Sequence, residues 1–286
     1  MDGNQKKYKP KFSWSKEQTK VNNEIDLVIE EVQRNGFSII PNFLEQKEVK
    51  VIRDKIEGIY TTQLNECGGE DKLYEIGDQH NAKALIAYDR YFDRFLNNSY
   101  ILKILECFLG EYFILHQQNG IIHRPESANP THPWHRDLVF QHITTSRPIG
   151  ITTLFSISDF DVETGATMAL PGSHLHEIMP SQGYTNKNKI SMCAPAGSLL
   201  ILNSMMFHRG GHNISNKTRY SLNQVFTLPF IRQQISYPNL LRNEYNDNPD
   251  MQRLLGFNCE TEESVQSARM NKINKVRPFQ GWKLEH

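Results

Sequence analysis

Apolar positions follow a helical period in the first third of the chain and a strand period after it. In residues 15–34, SKEQTKVNNEIDLVIEEVQR, Val21, Ile25, Val28, Ile29 and Val32 recur at three- and four-residue intervals. That spacing predicts an amphipathic helix, and Asn35-Gly36 stops it. FSIIPNF (37–43) reads as a short strand interrupted at Pro41. Val49, Ile52, Ile56 and Ile59 predict a second helix from Glu45 to about Thr61. No period runs through 64–82, which predicts a surface loop or part of a lid over a pocket. Helical spacing returns at 83–97 and at 99–109, where Gly110 is the stop.

The character then changes. Residues 111–125, 147–160, 196–207 and 219–230 are β-rich, and Gly, Pro and Asn clusters separate them. A helical front and a strand-rich second half predict an α+β chain with a mainly β core. The core would be an antiparallel sandwich or jelly roll at about 111–230, with helices packed on one outer face. The tail, 239–283, is polar, with a short helix near Asp250–Leu255. Neither a repeat nor a linker divides the chain, so 15–283 is expected to be a single domain. Residues 1–14 read as an N-terminal tail and Leu284-Glu285-His286 as the remnant of an expression tag.

Composition narrows the classes. Lys and Arg total 32, as do Asp and Glu, so no general charge draws the chain to nucleic acid or an anionic membrane. No run approaches 18 apolar residues, so no membrane span is expected. The opening MDGNQKKYKPKFSW lacks the apolar stretch of a secretory signal. The four cysteines, at 67, 107, 193 and 259, form no CxxC pair. A reducing, cytoplasmic compartment is therefore expected.

Histidine is the unusual residue: nine of the eleven lie between His116 and His212. THPWHRDLVF (131–140) holds His135 and Asp137 two apart, which on an extended segment point to one face. An HxD pair alone is a weak signal. FHRGGHN (207–213) follows an apolar strand and offers His208, with His212 as a less favoured competitor beyond the glycines. Two histidines and one carboxylate can hold non-haem iron(II) and leave positions open. Zinc accepts the same set. Further on, alternation in RYSLNQVF puts Arg219, Ser221, Asn223 and Val225 on one face. Tyr220, Leu222, Gln224 and Phe226 take the other. In an ordinary sandwich the apolar face would be inside and Arg219 solvated. In a jelly roll with helices outside, the polar face would line a cavity and Arg219 could pair with a carboxylate.

HRD, a distal His and an Arg one turn and strand later resemble the phytanoyl-CoA dioxygenase family of Fe(II)/2-oxoglutarate oxygenases. TGATMALPGSH (164–174) is similar to that family's loop ending in PGSH, and FSIIPNFLEQKEV to its early strand and helix. The likeness covers about 36–230. It implies a double-stranded β-helix of the jelly-roll, cupin-like kind. It implies His135, Asp137 and His208 as iron ligands, and Arg219 as the partner of the distal carboxylate of 2-oxoglutarate, with Ser221 assisting. Gln118 and Thr153 are the positional matches for further cosubstrate contacts, and His132 for a residue of the substrate pocket. Trp134 and Arg136 are expected to face away from the metal and pack, and His174 to be structural.

The implied activity is hydroxylation of a small-molecule metabolite with dioxygen, releasing succinate and carbon dioxide. Asp137 stands where halogenating relatives carry a small residue, which favours hydroxylation or a related oxidation. The alternatives are a metal-dependent jelly-roll hydrolase or isomerase that does not use 2-oxoglutarate, and an inactive barrel acting as a binding protein. Arg219 and the intact ligand set argue against both.

Overall fold

The structure is a computed structural model that describes residues 18–125, 133–138, 143–242 and 244–274. The chain begins with α1 (Glu24–Asn35), whose first turn is capped by the Asn23 side chain and whose end is Gly36 at φ 89°. Strand β1 (Phe37–Ile40) follows, then α2 (Gln46–Cys67), opened by a Glu45/Glu48 capping box, and α3 (Glu70–Glu75). Next come β2 (Asn81–Lys83), two 3₁₀ turns at Leu85–Ala87 and Arg90–Phe95, and α4 (Ser99–Leu109). The second half contributes β3 (Ile114–His123), β4 (Gly150–Ser156), β5 (Met168–Ala169), α5 (Gln182–Asn188) and β6 (Ile190–Ser191). It continues with β7 (Leu199–Asn203), β8 (His208–Arg209), β9 (Arg219–Thr227), α6 (Tyr237–Leu240), α7 (Pro249–Leu254) and α8 (Val265–Asn274).

The strands form a six-stranded antiparallel sheet, β1-β7-β4-β9-β3-β2, and a three-stranded one, β6-β5-β8. The large sheet is buried on both faces, which is why β7 reads LLIL without alternation. Its outer face carries Ile122, Ile151, Phe155, Ile201, Leu222 and Phe226 against the apolar stripes of α1, α2 and α4. Its inner face carries Leu154, Leu200 and Leu202 against Phe160, Ala166 and Met192 from the region of the small sheet. The polar side of β9 therefore faces inwards, and the helices cover the Tyr-Leu-Phe side.

Three expectations change. The first helix starts nine residues later than predicted, because Asn23 caps it at Glu24. The segment 64–82 is not an open loop: α2 runs on to Cys67, and α3 and β2 follow. The helix expected at 83–97 is replaced by the two 3₁₀ turns. Its amide groups are taken by side chains of β3: Ala84 N–H donates to Asn119 Oδ1 at 3.3 Å and Ile86 N–H to Gln118 Oε1 at 2.9 Å. Its apolar residues Leu85, Phe92 and Phe95 are buried all the same.

Gly120 sets how closely α2 lies on the sheet. A Cβ there would stand 2.7 Å from Ile56 Cγ2 and 2.8 Å from Ile56 Cγ1. Gly120→Val is expected to destabilise the protein by about 1–3 kcal/mol, the usual cost of overpacking. A lowered urea midpoint at unchanged slope would show it; an unchanged midpoint would contradict the packing described.

Candidate metal centre

His135 and His208 are joined by a two-residue antiparallel bridge. Each N–H donates to the other's carbonyl at 3.0 Å. The bridge puts the two imidazoles side by side, with ring centroids 4.5 Å apart. His135 Nδ1 lies 3.0 Å from Pro133 O, and His208 Nδ1 lies 3.0 Å from Met206 O. A carbonyl only accepts, so Nδ1 is the protonated nitrogen in both rings and Nε2 carries the lone pair. Two residues past His135, Asp137 N–H donates to Ser204 O at 3.0 Å, which turns its carboxylate to the same point. His208 Nε2 is 3.5 Å from Asp137 Oδ1. One ligand atom from each of His135, Asp137 and His208 lies within 4.8 Å of the others.

The carboxylate is held from behind. Thr152 Oγ1 donates to Asp137 Oδ2. Having given its proton there, Thr152 accepts from Ser204 Oγ at 2.8 Å. Burial alone would raise the Asp137 pKa; the imidazoles of His208 and His135 and the Thr152 hydroxyl outweigh it and pull it down to about 2. For His208, burial lowers the pKa, but Asp137 beside it wins and holds it above the ordinary imidazole value. Arg136, between His135 and Asp137 in sequence, points the other way. It is fully buried over the Phe207 ring at 4.1 Å and donates to the carbonyls of Ser173, His176 and Glu177. His174, in the same turn, lies 3.1 Å from Gln33 O through Nε2. Trp134 lies outside the cluster, with the Arg209 guanidinium 5.1 Å from its ring. His212 is exposed and is not part of the cluster.

The three residues open onto a cavity of about 750 Å³ that Arg219, Ser221 and Asn223 of β9 also line. Arg219 is 4% exposed, and its guanidinium lies 4.5 Å from the Phe160 ring. Its Nε has no hydrogen-bond partner, and among the described residues no carboxylate pairs with it. Burial pushes its pKa down to about 10. A buried cation with no anion beside it among the described residues is a costly arrangement that an anionic ligand would relieve.

Gln118 and Thr153 stand elsewhere, and their expected cosubstrate role is corrected. They belong to the outer face of the sheet, where Gln118 Nε2 donates to Gln224 Oε1 at 3.0 Å and Gln224 Nε2 to Thr153 Oγ1 at 3.1 Å. This row tacks the 3₁₀ turns onto the sheet by donating to Phe92 O and Phe95 O. The residues one step away, Thr152 and Asn223, face the cavity. Strand alternation already places Asn223 beside Arg219 and Ser221 in the sequence, whereas Thr152 is not singled out there. His132 lies outside the described residues, as do 1–14 and 284–286.

The model of the phytanoyl-CoA dioxygenase (PhyH) family matches residues 32–221. The chain belongs to the phytanoyl-CoA dioxygenase family. An uncharacterized protein of Mycobacterium tuberculosis is 30% identical over 225 residues, covering 77% of this chain and 81% of its own. A dioxygenase of Emericella variicolor, andF, is 27% identical, covering 81% and 86%. Among solved structures, the epimerase SnoN, in complex with Fe3+, α-ketoglutarate and nogalamycin RO, superposes with a TM-score of 0.55. That match is 14% identical and covers 72% of this chain and 84% of SnoN, a likeness of fold.

Two outcomes follow from the site. A metal ion must displace the proton that Asp137 helps His208 to hold, whereas Asp137 is already ionised above a pH of about 2. Affinity for a divalent metal should therefore rise about tenfold per pH unit below the raised His208 pKa and level off above it. Co(II) absorption titrations at several pH values would show the slope, and a flat profile would contradict it. Gln118→Ala should destabilise the chain by about 1–3 kcal/mol by leaving buried partners unpaired. The apparent 2-oxoglutarate affinity should stay unchanged, and a large rise in its KM would return Gln118 to the site.

Proposed function

We propose that the protein is a non-haem iron(II)- and 2-oxoglutarate-dependent dioxygenase that hydroxylates a C–H bond of a small-molecule metabolite. His135, Asp137 and His208 would hold the iron, and Arg219 with Ser221 the distal carboxylate of 2-oxoglutarate. The observation that carries this is Arg219: a buried, unpaired guanidinium lining the same cavity as a two-histidine, one-carboxylate cluster. A hydrolase or isomerase built on the triad alone has no use for that cation. Family membership supports the same reading.

Bound iron and 2-oxoglutarate supply the oxidising power, with one atom of dioxygen going to the substrate and the other to succinate as carbon dioxide leaves. The chain's own part is positional. The Nδ1 bonds to Pro133 and Met206 fix the tautomer and the aim of both imidazoles. Thr152 fixes the carboxylate rotamer, and His208, His135 and that hydroxyl together keep it charged. Arg219, buried in the cavity wall, would supply a bidentate fork matched to a carboxylate. The volume, about 750 Å³, is that of a site for a small molecule rather than a polymer.

Two antiparallel sheets with the cluster bridging between them support a double-stranded β-helix, carried by a single domain. Four free cysteines support a cytoplasmic setting. No helix among the described residues is long and apolar enough to cross a membrane.

Succinate formation from 2-oxoglutarate, dependent on iron(II) and dioxygen, tests the reading directly. Asp137→Ala should abolish it, and Arg219→Met should raise the KM for 2-oxoglutarate by about 100-fold or more. Arg219→Met should also leave the ligand-free protein at least as stable, because it removes an uncompensated buried charge. Full turnover by the Asp137 variant, or unchanged cosubstrate dependence in the Arg219 variant, would overturn the assignment.

A further inference from the structure

The end of the cavity nearest β2 is built from neutral amides. Asn81 is paired with Ile121, which is paired with Ser221. Its side chain therefore lies on the inner face, two strands and about 10 Å from Ser221. Gln79, two residues earlier, lines the same cavity. Gln79 Oε1 and Asn81 Oδ1 are both buried atoms without a hydrogen-bond partner. Each unsatisfied buried acceptor is destabilising until a donor meets it.

The orientation of Asn81 is fixed chemically. Its Nδ2 donates to Asp78 Oδ1 at 3.3 Å, and Asp78 Oδ2 is paired with Lys83 Nζ at 2.5 Å. A carboxylate facing a lysine only accepts, so the amide cannot be turned round and its oxygen is the atom left over. The backbone is fixed too. His80 sits at φ 62°, in the left-handed region, and its N–H donates to Tyr60 Oη at 2.9 Å. Its carbonyl accepts from Ile122 N–H at 2.9 Å. A strained residue held from both sides, between two amides whose oxygens lack a partner, marks a built feature.

The charged groups around this end are already matched. Asp78 pairs with Lys83, His80 Nε2 lies 3.1 Å from Glu70, and Arg124 is 3.4 Å from Glu57. Tyr220 Oη donates to the same Glu57 at 2.5 Å. Among the described residues lining the cavity, Arg219 is the cation without a carboxylate, and the cosubstrate accounts for it. Neither an ammonium nor a second carboxylate finds a counter-charge here, and a bare hydrocarbon leaves two buried acceptors unmet.

We propose that Gln79 and Asn81 form a substrate subsite of hydrogen-bond acceptors, and that the part of the substrate held there is uncharged and hydroxyl-bearing, as in a polyol or sugar. This rests on the oxygenase reading above and names the substrate class of that site.

The full chain, loaded with Zn(II) and 2-oxoglutarate, is probed by saturation-transfer NMR with four compounds: methyl α-glucopyranoside, myo-inositol, hexanoate and hexylamine. The two polyols are expected to bind and the two charged compounds not to bind. Gln79→Leu and Asn81→Leu should each weaken polyol binding by about tenfold, the loss of one hydrogen bond to a buried acceptor. Gln79→Glu keeps the shape and guards against a leucine variant that does not fold: hexylamine should bind it and not the parent chain. Polyols that fail to bind, polyols that bind folded leucine variants equally well, Asn81-dependent binding of hexanoate or hexylamine by the parent chain, or no gain of hexylamine in Gln79→Glu would each overturn the proposal. Succinate released by the iron-loaded parent chain, read separately, tells whether the oxygenase reading or only this subsite has failed.

Discussion

The reciprocal backbone bridge between His135 and His208 is the constraint on which the rest of the site depends. It is only two hydrogen bonds, yet it fixes where two chain segments more than seventy residues apart meet. Because the bridge is antiparallel, the side chains of the paired residues leave on the same side. Both imidazoles then share one face by backbone geometry, and their Nδ1 bonds to Pro133 O and Met206 O fix their aim. Asp137 joins them because its own N–H is tied to Ser204 O, on the chain that leads from β7 to His208. Arg136 secures the arrangement from the far side by filling three carbonyls of the 173–177 turn. The ligand residues are positioned by backbone pairing and the intervening residue by burial, so each part of HRD has a different physical task.

The cavity also separates two opposite charges by different means. Asp137 is buried among groups that favour its charged form, so it stays ionised with no metal present. Arg219 is buried against an aromatic face with no such support, and its charge is held at a cost. One charge is preorganised by the protein and the other waits for a ligand. That asymmetry suits an order in which the metal site stands ready and the cosubstrate carboxylate completes the electrostatics of the opposite end. It also bears on how the polar side of β9 comes to be buried: Ser221 and Asn223 flank a cation that has no carboxylate partner among the described residues.

Much of this was legible in the sequence because it rests on local pattern. The four long β-rich stretches, the helices at 24–35, 46–67 and 99–109, and the HxD, distal His and Arg could be read from spacing and composition. The choice between the two faces of β9 could not. Alternation separates Arg219, Ser221 and Asn223 from Leu222 and Phe226, but only the position of the helices decides which set faces inwards. The same parity explains Gln118 and Thr153. Each is one residue from a position on the inner face, and one step along a strand moves a side chain across the sheet. The false helix at 83–97 has another cause. Its apolar residues are buried as a helix would bury them, but its amides are captured by glutamine and asparagine side chains from a strand thirty residues later, which no local pattern reports.

The segment 70–83 was hardest to read, and it is the one with most bearing on specificity. It has weak periodicity because its residues answer to different demands. Leu73 is buried in the core, Asp78 and Lys83 neutralise one another, and Gln79 and Asn81 line the cavity with a buried amide oxygen left unpartnered in each. A stretch selected for packing alone would show a period, and one selected for solubility alone would show exposed charge. Mixed demands erase both signals. The triad sits on bridges and turns whose register the β core enforces, so changes to that backbone disturb the fold and the chemistry together. The β2 end is held instead by one short edge strand, a tyrosine hydroxyl and an ion pair. Substitution there alters what the cavity accepts with little consequence for the core, which is the physical condition for one scaffold to serve different substrates.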